Sequence, residues 1–105
     1  MDLTRNEKLS ILHALNEVLI ADGEVTENET SLINVVLLNL NLRMSDLIEA
    51  KNMDSSTVLN TMRAMNQQKK EFIKGLLSHM ALIDGDDNLN TDTQKVVSLF
   101  FTFLK

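Results

Sequence analysis

The chain has 105 residues and a mass of 11.9 kDa, enough to bury one core and too little for two ordinary domains, so residues 1–105 are read as a single domain. Its 44% hydrophobic content excludes disorder over the whole length, the absence of cysteine excludes disulfides and sulfur-ligated zinc, and a formal charge of −5 argues against nucleic acid or an anionic membrane surface as partner. No prolines and three glycines leave too few turn residues for a multi-stranded sheet, which points to an all-α fold.

The opening MDLTRNEK is polar and unlike a secretory leader, and no apolar run approaches the roughly 18 residues of a membrane span. A soluble, cytoplasmic setting without direct membrane insertion is expected. Helix one starts at a capping box, Thr4 to Glu7, and runs to about Asp22, with Ile11, Leu12, Leu15, Val18 and Leu19 as its stripe. A second capping box, Thr26 to Glu29, opens a helix carrying Leu32, Ile33, Val35, Val36, Leu37, Leu38 and Leu40. That helix is apolar over much of its circumference and is expected to be the most buried. Ser45 is expected to cap a short helix, SDLIEAKN, and Asp54 or Ser55 another with Val58, Leu59, Met62 and Met65.

A long helix is predicted from about Gln67 to Asp84, with Phe72, Ile73, Leu76, Leu77, Met80 and Ile83 on one face. Gly75 lies beside that stripe, where it either admits a neighbouring helix or is a plain helical defect costing about 1 kcal/mol. The last helix opens at the box Thr91 to Gln94 and carries Val96, Val97, Leu99, Phe100, Phe103 and Leu104. A helix ending in Asp-Gly, an acidic loop, a capping box and a second apolar helix occur at residues 9–40 and again at 71–104. The expected fold is a compact bundle of about six helices with an internal pseudo-twofold repeat of helical hairpins.

The two Asp-Gly segments hold eight of the 15 acidic residues: Asp22, Glu24, Glu27 and Glu29, then Asp84, Asp86, Asp87 and Asp92. No Lys or Arg lies between Lys8 and Arg43, or between Lys74 and Lys95. At about 100° per residue, Asp22 shares an azimuth with Leu15 and Val18, and Asp84 with Leu77 and Met80, so both carboxylates are partly shielded at helix C-termini. Such a group needs donors or a cation. In one reading Gly23 or Gly85 adopts a left-handed conformation and the Asp accepts N–H groups of the next helix. In the other, Asp22, Glu24, Glu29, Asp84, Asp86 and Asp87 collect a hard divalent cation, calcium or magnesium. An EF-hand is disfavoured, because Leu89 and Lys95 stand where its Gly and its bidentate Glu belong.

Catalytic constellations are poor. His13 lies opposite its stripe and is expected at the surface, His79 at the edge of its own, and Ser78 beside His79 diverges from it in direction. No phosphate-binding glycine loop is present, so no enzyme activity is expected.

The segment ADGEVTENE, with HMALIDGDD in the second half and the LIEAKN…STVLNTM…KKEFIKGLLSHMALIDG middle, resembles the TerB-like tellurite-resistance family over nearly the whole chain. Its signature, Asp-Gly-x-(Ile/Val)-x-x-x-Glu, is matched by Asp22, Gly23, Val25 and Glu29; the second copy has three extra residues and Gln94 in place of Glu. The resemblance implies a non-enzymatic helical module with its acidic loops close together, a metal-binding surface, and a stress-response or metal-sensing context. The expected activity is therefore binding of a divalent cation or of a basic protein partner at the acidic loops. The alternative is a scaffold that forms a homodimer through its apolar helices, with the acids purely structural.

Overall fold

Local hydrogen bonds set most of the helix starts. Thr4 Oγ1 accepts the Glu7 N–H at 3.1 Å while Glu7 Oε1 accepts the Thr4 N–H at 2.8 Å, and Thr26 and Glu29 repeat the exchange at 3.2 and 2.9 Å. Asp54 and Asn66 each accept an N–H three residues on, from Thr57 and Lys69. The computed structural model describes residues 1–21, 23–82 and 91–105. Among them run α1 (Arg5–Ile20), α2 (Glu27–Asn39), α3 (Met44–Lys51), α4 (Ser55–Arg63), α5 (Gln67–Leu82) and α6 (Thr91–Phe103), and no strand. The fold is an all-α bundle, as the composition implies.

Two boundaries differ from expectation. Ser45 lies inside α3, whose N-cap is Arg43; there Asp46 Oδ2 accepts the Arg43 N–H at 2.8 Å, the return half of a capping box, while no cap side chain accepts an N–H of the first turn. Thr91 already lies within α6 and is not its cap. Between α2 and α3, Asn41 takes φ 57° and the Leu42 and Asn41 N–H groups return to the Leu37 and Leu38 carbonyls, a Schellman ending in which Asn replaces the usual Gly.

The most buried helix is α1, not α2. All five other helices pack on α1, and from Leu9 to Leu19 only Glu17 escapes full burial. In α2 a single face, Ile33, Val36 and Leu37, continues into the core, whereas Val35 is 51% and Leu38 79% exposed. The reason is size and satisfaction: Ser10, Ala14 and Asn16 are small enough to let neighbours close around α1, and His13, expected outside, is buried with Nδ1 2.8 Å from the Ala50 carbonyl oxygen. Gly75 admits no neighbouring helix, since a Cβ built there meets no atom within 4 Å.

Helix directions follow from a few contacts. Lys69, in the first turn of α5, reaches both Glu7 oxygens in the first turn of α1 at 2.9 and 3.0 Å, so the two helices start at the same end. Lys70 also donates to the Lys105 carbonyl, and Val96 and Phe100 share a cavity with His13 and Glu17, so α6 runs antiparallel to both. Leu3 and Lys8 border the same hollow as Asn39 and Asn41, which sets α2 antiparallel to α1. The hairpins α1–α2 and α5–α6 therefore point the same way. No single helix among the described residues is long and apolar enough to cross a membrane.

Candidate functional site

This arrangement gathers four helix termini at one pole: the ends of α1 and α5 and the beginnings of α2 and α6. Both Asp-Gly segments connect termini of that set. The first is described on either side of its aspartate. α1 closes with the Ala21 N–H on the Val18 carbonyl, and the Gly23 N–H follows onto the Ile20 carbonyl at 3.0 Å. Gly23 has φ +81°, the left-handed conformation named in the first of the two readings, and this reverses the chain into α2.

Of the six candidate ligands, Glu24 and Glu29 are described; Asp22, Asp84, Asp86 and Asp87 lie outside the described residues, as do Gly85 and the positions compared with a calcium loop. Glu24 is exposed at the pole, with Glu27 and Asn28 beside it in sequence. Glu29 is 5% exposed and its Oε1 holds the Thr26 N–H, so half of its carboxylate belongs to the capping box and Oε2 is what remains for a ligand. Among the described residues no group of three or more His, Asp or Glu side chains converges on a common point. The apolar side chains of Ile20 and Val25, on either side of the first Asp-Gly segment, and of Leu82, the last residue of α5, are exposed, a feature that a search for charge patterns alone passes over.

The opposite end of α1 is electrically different. Arg5 pairs with Asp46 at 2.8 Å and with Glu49 at 2.6 Å, and Lys69 pairs with Glu7. Burial pushes the Glu7 carboxyl up, but the Thr4 N–H and the Lys69 ammonium outweigh it and hold the group below the ordinary glutamate range. Asp46 is held low by the Arg43 N–H and then by Arg5. Glu7 and Ile20 are 13 residues apart, so the paired bases stand roughly 20 Å along α1 from the acidic pole. Comparison with known proteins adds no relative: no protein-family model matches the chain, and neither a curated protein nor a solved structure matches it.

Proposed function

We propose that this chain is a small non-enzymatic module of the TerB-like kind its motifs resemble, binding a divalent cation, calcium or magnesium, at its acidic pole. The observation that carries the reading is the direction of the hairpins: α1 and α5 start together at the Glu7–Lys69 pair, so the termini bordering both carboxylate-rich segments share one end. Paired Arg and Lys residues collect at the other end, and carboxylate oxygens such as those of Glu24 and Glu29 are the hard donors that suit a hard cation. A stress-response or metal-sensing role is the context the resemblance offers.

A second reading rests on the exposed Ile20, Val25 and Leu82. An apolar surface bordered by carboxylates suits a basic amphipathic segment of a protein partner, whose side chains would cover the apolar groups while its charges meet Glu24 and Glu27. Titration with calcium and with magnesium, followed through the amide signals of Gly23, Glu24 and Thr91, tests the first reading. Saturable shifts at all three are expected, and signals that stay fixed at millimolar metal contradict it.

A further inference from the structure

The side of α1 facing α3, α4 and α6 carries a histidine that the acidic pole does not use. His13 is buried, and its Nδ1 lies 2.8 Å from the Ala50 carbonyl oxygen in the last turn of α3. A carbonyl only accepts, so Nδ1 carries a hydrogen and Nε2 is the ring nitrogen left for a ligand. One helical turn on, Glu17 places Oε1 3.8 Å from Nε2, too far for a hydrogen bond. Both side chains border a cavity of about 100 Å³ whose lining includes Ser55 and Leu59 of α4 and Leu99 and Phe100 of α6.

A metal ion placed in that gap can take an electron pair from each of the two groups. Bonds of about 2.1 Å to an imidazole nitrogen and a carboxylate oxygen, meeting at roughly 130°, span that separation. The hydrogen bond from Nδ1 to a backbone carbonyl is also the outer contact that fixes tautomer and ring direction in metal-ligating histidines. At about 30 Å³ per water, the cavity has room for an ion and its remaining water ligands. Imidazole with carboxylate suits borderline ions better than calcium or magnesium.

We propose that His13 and Glu17 bind a first-row divalent ion of borderline softness, such as zinc or cobalt, with water in the remaining positions. Only two side chains coordinate, so the affinity is modest. The site lies seven residues, roughly 10 Å, along α1 from Ile20 and uses a nitrogen donor, which separates it from the oxygen-only pole.

Titration of the isotope-labelled chain with zinc chloride, reading the ring nitrogens of both histidines by long-range proton–nitrogen NMR, tests this directly. A saturable displacement of the His13 Nε2 signal is expected, with the exposed His79 as internal control. Glu17→Gln, at a side chain that is 41% exposed, keeps the helical far-UV spectrum and weakens zinc about tenfold or more, since even outer contacts of a ligand carry about 10–100-fold. Calcium and magnesium leave His13 Nε2 unmoved, whichever way the acidic pole responds to them. A His13 Nε2 signal that stays fixed at millimolar zinc, or an affinity untouched by Glu17→Gln, overturns the proposal.

Discussion

Replacing Lys69 with methionine removes the contact that sets α5 parallel to α1. The Lys69 and Glu7 side chains are 17% and 12% exposed, and the ammonium reaches both carboxylate oxygens. Removing one member of a fully buried pair costs about 3–5 kcal/mol. This pair is only part-buried, so solvent screening lowers the figure, and about 2 kcal/mol is the expected loss. At about 2.1 cal/mol/K per residue the unfolding entropy of a chain this size is roughly 220 cal/mol/K, so Tm should fall by about 9 °C. Because Glu7 titrates below its ordinary range when folded, its stabilisation is complete above the unfolded pKa and disappears as pH drops through the folded one. The wild-type advantage over Lys69→Met should therefore be full at pH 7 and shrink below about pH 4. Thermal unfolding followed by circular dichroism at several pH values measures it, and Glu7→Gln with the double variant gives the coupling energy. A Tm within two degrees of wild type at pH 7, or zero coupling, would refute the reasoning.

Substitutions at three further positions probe the backbone and core. Gly75→Ala should stabilise by about 1 kcal/mol, because the position is helical and a Cβ there meets nothing; a loss of stability on urea denaturation would show a close contact after all. Gly23→Ala should destabilise by about 1–2 kcal/mol, since φ +81° disfavours a Cβ even where space is open, whereas Gly23→Asn should cost less. Ser10→Ala should raise stability by about 1 kcal/mol, because the fully buried Ser10 hydroxyl has no hydrogen-bond partner among the described residues; a drop of that size would reveal a partner for it.

What the sequence made legible was local. The boxes Thr4–Glu7 and Thr26–Glu29 span three residues each, so their hydrogen bonds depend on little beyond the helix that they start. The order of burial was not legible, because it depends on partners distant in sequence. His13 looks like a surface residue on a helical wheel, yet α3 supplies the Ala50 carbonyl that lets it sit inside. Counting apolar residues favoured α2, and the count could not reveal that Val35 and Leu38 face outward once α1 takes the centre. At the site, the motif placed Glu29 among ligands and in a capping box at once. Only geometry shows that Oε1 is committed to the Thr26 N–H.

The absence of cysteine makes a direct distance measurement straightforward. Spin labels on Val25→Cys and Thr91→Cys report the separation of the two hairpin turns. With helices packed at about 8–10 Å spacing and sharing one pole, a distribution centred at roughly 10–25 Å is predicted. A centre beyond about 30 Å, more than the full length of a 16-residue helix, would place the turns at opposite ends and contradict a common acidic pole.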